Sequence, residues 1–580
     1  MTRRTASRVL FVIAVAGVCL AAVLAVHGGF YIRIAGIRLS ARGALRPLLV
    51  ALLTGSIALR LLSPSERARL IDRAARIGPK LAPWAAAIAA GAVLATGLMH
   101  ATRSAGGSDS YGYISQARLW LRGDLHVHQD FVASFPWPYA EWTFSPLGYQ
   151  PAEGHTIVPT YAPGLPLLMA AFTKLAGRCG PFIVTPFCAA LTVVLAYLLG
   201  ARLSGPLVGL IAALLTATSP TFVFMSLWSM SDVPATAFWT ASLVLTFQRR
   251  GTAAAALAGI AAGAAIVVRP NLLPLALFPA VLAIEHKSGR VRRALLFASC
   301  CAPFVLFVGV LNHHLYGSAL QSGYGDTTSL FSLKNLNVNA SQFSRWLWDT
   351  QGPLVFLCVL APLLRPRAGR AALLAFVLGV FACYLLYTPF HAWWFLRFVL
   401  PAFPAIFALA ADAVWAASSK GGRKAHVVSM LVFTLVCMDW GVRFAKTQAV
   451  LDLGDGEQKY ADVGRFIARE LPARAVVISI QHSGSVRYYS GRLTLRYDWL
   501  DAEWLDRAVG YLKSTGSEPY LLLEAFEVAE FREKFKGQKT VAALDRPPVA
   551  THPRGVYLYE IDRSVVSAAP RVIPRTQGCE

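Results

Sequence analysis

Four ionisable residues stand where apolar runs of the chain begin or end. Asp109, in Gly107-Ser108-Asp109-Ser110-Tyr111-Gly112-Tyr113, follows a run that closes near His100. Asp232, in Trp228-Ser229-Met230-Ser231-Asp232-Val233-Pro234, opens another. Arg269, in Val267-Val268-Arg269-Pro270-Asn271, closes one, and Arg397, in His391-Ala392-Trp393-Trp394-Phe395-Leu396-Arg397-Phe398, opens one. An ionisable group at membrane depth is expensive, so its retention points to function. A carboxylate can take the proton of an attacking hydroxyl, and a guanidinium forks onto phosphate. Two of each, gathered at one height, suit displacement at a carbon attached to a lipid-borne phosphate. Plainer roles are open to all four. Asp109 could cap a helix starting near Ser110, Asp232 stands before a proline at a helix start, and the arginines could snorkel from helix ends.

The elements that would position these groups are membrane helices. Of the 580 residues, 56% are hydrophobic and 15% charged, with mean hydropathy +0.50. An average soluble domain is about 25% charged, so the apolar excess needs a lipid environment. Apolar segments fall near 8–27, 44–62, 82–101, 181–200, 206–219, 233–247, 252–268, 271–285, 294–311, 352–364, 371–388, 397–417 and 426–444. They predict about thirteen transmembrane helices. The first follows three arginines and is longer than a usual signal core of about 7–15 residues, so an uncleaved anchor is expected.

The formal net charge of +24 lies in short loops between these segments. That distribution orients helices rather than binding nucleic acid. Basic loops recur with Arg67, Arg69, Arg73, Arg76 and Lys80; Arg202; Arg249 and Arg250; Lys287, Arg290, Arg292 and Arg293; Arg365, Arg367 and Arg370; and Lys420, Arg423 and Lys424. The alternation puts the N-terminus in the cytoplasm, the 102–180 segment outside and the C-terminus outside. Loop 28–43, with Arg33, Arg38 and Arg42, breaks it.

The 102–180 segment is too long for a plain connection. It predicts an amphipathic helix over 113–122 and a surface helix over 163–176. Between them Trp120, Phe131, Phe135, Trp137, Tyr139, Trp142 and Phe144 read as a membrane-interface belt that roofs a cavity. After Gly454 the pattern becomes strand–helix alternation: helices near 457–470, 502–515 and 526–535, strands near 475–480, 493–497, 520–523 and 556–559. This is a small α/β domain. The organisation expected is an N-terminal hairpin (1–80), a catalytic membrane region (81–445) and an extracytoplasmic α/β domain (455–580). His482 with Ser483-Gly484-Ser485 could form an anion site at a helix N-terminus or a turn. Seven of nine cysteines lie in or beside apolar runs, no CxxC or Cys/His spacing occurs, and disulfides are not expected. Glu153 and His155 could bind a divalent metal with a third ligand.

Taken together, these motifs resemble the GT-C superfamily of membrane glycosyltransferases that use polyprenyl-phosphate sugars, in particular the lipid A aminoarabinose transferase and the protein O-mannosyltransferases. The resemblance covers about residues 82–410. Besides the four motifs above it rests on Gly123-Asp124, Tyr161-Ala162-Pro163-Gly164-Leu165-Pro166, Tyr316-Gly317-Ser318-Ala319-Leu320 and Arg397-Phe398-Val399-Leu400-Pro401. It implies that Asp109 activates a hydroxyl acceptor (lipid, glycan or protein), that Asp232 assists, and that Arg269 and Arg397 hold the carrier phosphate, with inversion at the anomeric carbon. Tyr113, Tyr161 and His391 are the implied substrate contacts, at the outer face of a bacterial-type inner membrane. The sequence departs from the aminoarabinose transferase pattern at Arg269, where that pattern has Lys, at Asp109-Ser110 in place of its Asp-Glu pair, and in two extra leading spans. A transporter or flippase of lipid-linked sugars is the alternative. It would predict charged groups near mid-membrane and repeated halves, whereas the candidate charges sit at span ends and no internal repeat is evident.

Overall fold

The structure is a computed structural model that describes residues 3–27, 30–34, 37–41, 45–247, 252–284, 289–325, 330–562, 569–576 and 578–579. Arg42, Arg249, Arg250 and Lys287 lie outside the described residues. The chain divides into two compact units, Met1–Trp84 and Ala85–Glu580. The first holds the helices Arg3–His27 and Leu45–Leu61 around an antiparallel strand pair, Phe30–Ile34 with Ile37–Ala41. The helix Pro64–His100 follows.

Among the described residues six helices are long and apolar enough to cross a membrane, or eight if each of two bent pairs is one span. The expected thirteen apolar segments are thus not thirteen full spans. Proline accounts for several of the breaks, since it removes an amide donor and clashes with the preceding turn. Pro206–Thr218 bends by 59° into Pro220–Leu227, and Leu333–Gln351 by 112° into Pro353–Leu364. Residues 271–285 begin as a 3-10 turn, Pro270–Ala276, before Leu277–Ile284. The surface helix Gly164–Ala176 runs into Gly180–Ser204, and together they make one 41-residue apolar stretch. Trp393–Gly421 is the central span, 89% buried, whereas Arg290–Tyr316 is 17% buried and turns Leu306 and Val310 outward. The protein is a multi-pass helical membrane protein.

Two basic residues assigned to loops, Arg293 and Arg370, are instead buried. Arg370, in the first turn of Ala368–Leu385, is paired with the fully buried Asp412: Arg370 Nε lies 2.5 Å from Asp412 Oδ2. Ser204 and the Leu203 carbonyl accept from the same guanidinium at 3.2 and 3.1 Å. An acid inside an apolar run was the missing half of this pair.

The C-terminal segment forms a six-stranded mixed sheet, in the order Arg571–Val572, Ala550–His552, Val556–Glu560, Glu518–Glu524, Ala475–Ile478, Leu493–Leu495. Ala475–Ile478 is parallel to both of its neighbours, and Val556–Glu560 is antiparallel to both of its own. Part of the aromatic stretch of the 102–180 segment packs on the C-terminal sheet. Val132, Trp137 and Phe144 complete a core with Tyr497, Leu505, Leu521 and Phe531 on one face of this sheet. Trp142 stacks on Trp499 at 4.3 Å, and Tyr511 donates to the Ser134 carbonyl at 2.5 Å. A cluster of aromatics reads alike whether lipid or protein covers it; here protein covers Trp137 and Phe144, while Phe131 and Tyr139 stay exposed.

Cys179 and Cys579 form a disulfide, with Cα atoms 5.3 Å apart, against the expectation of none. Spacing could not reveal a bond between residues 400 positions apart.

Candidate active site

Asp109 and Asp232 occupy the same local position. Each is the first residue of a helix, Asp109–Leu121 and Asp232–Thr246, and each follows a serine, Ser108 and Ser231, whose side chain makes no cap hydrogen bond. A carboxylate there is favoured by the unpaired amides and the helix dipole. Neither acid is merely a cap, because both reach arginines. Arg269 Nη2 lies 2.8 Å from Asp232 Oδ1. Arg397 Nη1 and Nη2 donate to Asp109 Oδ2 at 3.4 and 3.3 Å, and Arg397 Nη1 lies 4.0 Å from Asp232 Oδ2. The four sequence candidates therefore converge. Asp232 is fully buried, the arginine side chains are 11–12% exposed and Asp109 is 31% exposed. Asp109 is the part-exposed acid of the two.

Neighbours fix the guanidiniums. Arg269 Nε donates to Ser231 Oγ at 3.1 Å and Nη1 to the Tyr384 hydroxyl at 3.2 Å, which also accepts from Asn271 Nδ2 at 2.9 Å. All three nitrogens of Arg269 are engaged. Arg397 lies over Phe395 and Phe398 at 5.3 and 5.2 Å, a cation–π setting. Its buried Nε has no hydrogen-bond partner in the structure. Of the two arginines, Arg397 has the longer carboxylate contacts and the spare donor.

Tyr113 and Tyr161 border the site. The Tyr113 hydroxyl donates to Ser231 Oγ at 3.1 Å, the Tyr161 hydroxyl shares a 2.6 Å hydrogen bond with Ser108 Oγ, and the two rings lie 4.7 Å apart. Burial, with the Asp109 charge adding to it, holds both hydroxyls above the ordinary phenol range. They are neutral hydrogen-bonding groups. His391 is exposed, with Nδ1 3.4 Å from Gln342 Nε2, and it forms no hydrogen bond or ion pair with the four charged residues. His155 Nδ1 lies 3.4 Å from Glu141 Oε1, and among the described residues no three candidate metal ligands group around Glu153 and His155.

Sequence reasoning missed Ser231 as a hub, although it stands in the quoted motif. It also missed Tyr384, hidden in an apolar run, and Glu457. Glu457 is half-buried, its carbonyl accepts from Ser104 Oγ at 2.8 Å, and burial, with Glu524 and Asp109 adding and Lys459 opposing, pushes its carboxyl up to about 7.

An apolar groove of about 440 Å³ is lined by Leu167, Phe238, Ala264, Val267, Val268 and Phe304 among others. Two of its lining residues, Val267 and Val268, directly precede Arg269 in the chain.

Comparison with known proteins gives three findings. Residues 159–313 match the family model PMT_2, dolichyl-phosphate-mannose-protein mannosyltransferase. The fold is similar to that of ArnT from Cupriavidus metallidurans bound to undecaprenyl phosphate, with TM-score 0.51, 12% identity, and 83% of this chain and 98% of that chain covered. It is also similar to the oligosaccharyltransferase AglB from Archaeoglobus fulgidus, in complex with an inhibitory peptide and a dolichol-phosphate, with TM-score 0.52, 15% identity and coverage of 79% and 71%. No curated protein matches by sequence. The chain shares its fold with ArnT and AglB, and its residues 159–313 match a family described as dolichyl-phosphate-mannose-protein mannosyltransferases.

Proposed function

We propose that the protein is a glycosyltransferase that moves a sugar from a polyprenyl phosphate to an acceptor hydroxyl at the outer face of the inner membrane. The observation that carries this reading is Arg397, shared between a part-exposed acid, Asp109, and a buried one, Asp232. The groove suits the carrier's chain, and the arginines suit its phosphate.

In this reading the phosphate enters next to Arg269 and Arg397, and Arg397 turns its spare donor and its long Asp109 contacts toward it. Asp109, so released, accepts the proton of the acceptor hydroxyl. The oxygen attacks the anomeric carbon from the face opposite the phosphate, and the carbon–oxygen bond to phosphate breaks. Its electron pair leaves with the polyprenyl phosphate, and the configuration inverts. The arginines stabilise the charge that grows on the leaving oxygen. Asp232 keeps both guanidiniums in place, Tyr113 and Tyr161 contact the sugar or acceptor, and the aromatic loop with the C-terminal domain keeps water out.

The reading assigns residues 81–445 to the catalytic membrane region and 455–580 to an extracytoplasmic domain. The disulfide supports it, because cystines persist in oxidising compartments and this one joins the outer loop to the C-terminal segment.

The test is transfer from radiolabelled polyprenyl-phosphate sugars in proteoliposomes, with Asp109→Asn beside the wild type. Transfer by the wild type, lowered by roughly 10²–10⁴-fold in the variant, is expected for loss of a general base. Equal turnover would remove Asp109 from that role. Label crossing the bilayer still on its lipid would favour a flippase.

A further inference from the structure

The C-terminal domain touches the Asp109 segment on both sides, through two reciprocal contacts of a tyrosine on a glycine. Tyr460, in the domain's helix Lys459–Glu470, lays its ring on Gly106, three residues before Asp109. Tyr111, two residues after Asp109, lays its ring on Gly484, in the domain's helix Ser483–Ser490. A Cβ at either glycine would overlap the opposing ring. Main-chain bonds accompany them: Ala105 N donates to the Tyr489 hydroxyl at 2.8 Å, and Ser104 Oγ to the Glu457 carbonyl at 2.8 Å.

We propose that the C-terminal domain is a positioning element of the reaction centre, setting where the Asp109 carboxylate stands through the Tyr460–Gly106 and Tyr111–Gly484 contacts. This rests on the reading of Asp109 as the base. The segment 102–108 carries no regular helix or strand, so its path is not fixed by a backbone ladder of its own. It is fixed by what clasps it. The helix Asp109–Leu121 begins where that segment ends, so a shift of the segment moves the carboxylate. A displacement of about 1 Å at a reacting group can cost on the order of 10²-fold in rate. Tyr460, Tyr489 and Gly484 act through the loop and touch no reacting atom. They are positioning residues.

The test is a double-mutant cycle on the full-length protein in nanodiscs, using Gly106→Ala, Tyr460→Ala and the pair. Three quantities are read: sugar transfer, binding of undecaprenyl phosphate, and amide exchange of residues 102–113. Each single change is expected to slow transfer by ~10-fold or more. Carrier binding stays within about 2-fold, and exchange over 102–113 quickens. The pair should be no slower than Tyr460→Ala alone, because the added methyl then has room, a strong coupling between neighbours. Gly484→Ala, on the other side, should repeat the slowed transfer with carrier binding kept. Effects that multiply in the pair, unchanged exchange, or loss of carrier binding in step with turnover would each overturn the proposal. Wild type that transfers no sugar from any donor, with 102–113 exchange still responding to both changes, would refute the base role of Asp109 while the positioning contact stood.

Discussion

Arg397 reaches Asp109 with both terminal nitrogens, at 3.4 and 3.3 Å, while Asp232 lies 4.0 Å from the same guanidinium. A fork is needed for this bridge. Lysine presents a point charge and cannot serve two carboxylates in one plane. Arg397→Lys is expected to cut transfer by ~10²-fold and to weaken undecaprenyl phosphate binding. Initial rates and carrier binding on the purified protein check this, and wild-type values for both would contradict the bridging role.

The buried pair at Arg370 and Asp412 gives a contrasting expectation. Asp412→Ala leaves Arg370 buried without its carboxylate, a loss of about 3–5 kcal/mol for a broken buried pair. Thermal unfolding in detergent should show a marked drop. Arg370→Met with Asp412→Leu should recover most of it, since apolar replacement of both partners is often neutral. Turnover per folded molecule is expected to hold, because no atom of this pair belongs to the candidate site.

A third expectation concerns the apolar groove. Ala264→Trp fills much of a cavity of about 440 Å³. If the carrier chain lies there, the donor KM rises steeply and kcat changes less, which is the mark of lost uniform binding. Kinetics with donors of shortened chain should show the variant's defect shrinking with chain length.

The C-terminal domain carries its own pH signature. Burial and neighbouring carboxylates raise Glu457 from 4.5 to about 7, against Lys459. Burial also raises Glu527 to about 7. Although burial opposes it, Glu524 is lowered to about 2 by its partners His482 and Lys459. A carboxyl raised in the folded state favours folding while protonated, so its contribution is lost as pH climbs from 4.5 through 7. A depressed carboxyl contributes above 4.5 and loses its contribution as pH falls toward 2. Glu457→Gln is expected to flatten the decline between pH 4.5 and 7. Melting temperatures at pH 5 and 8 should differ less in the variant than in the wild type.

Cys179 and Cys579 should resist alkylation without reductant and appear as one linked peptide pair. Replacing both by serine is expected to cost about 2–4 kcal/mol, read as a lower melting temperature.

Much of this centre was legible because its residues break a pattern. Asp109, Asp232, Arg269 and Arg397 are charges at the borders of apolar runs, and lipid makes such charges conspicuous. Gly112 in the opening motif is also explained, as its Cβ would overlap the Tyr161 ring. Ser231 and Tyr384 were not legible, since a serine or tyrosine costs little at such a border and carries no pattern. Asp412 carries no local signal, because its partner Arg370 lies 42 residues away in what hydropathy reads as a loop. Helix existence followed hydropathy, whereas span count did not, because several apolar segments fold as helices too short to cross alone, such as Ala253–Val268, or as bent pairs such as Pro206–Thr218 with Pro220–Leu227. The partner of the aromatic loop could not be read locally, for it lies more than 300 residues along the chain, as in Leu147 with Ser483.

The bond between Cys179 and Cys579 also orders events during biogenesis. At about 5–20 residues per second, the ribosome needs roughly 20–80 s to make the 400 residues between the two partners. For that interval Cys179 waits as a thiol while the helices behind it insert. Any other thiol exposed on the same side of the membrane in that interval would compete for it by exchange.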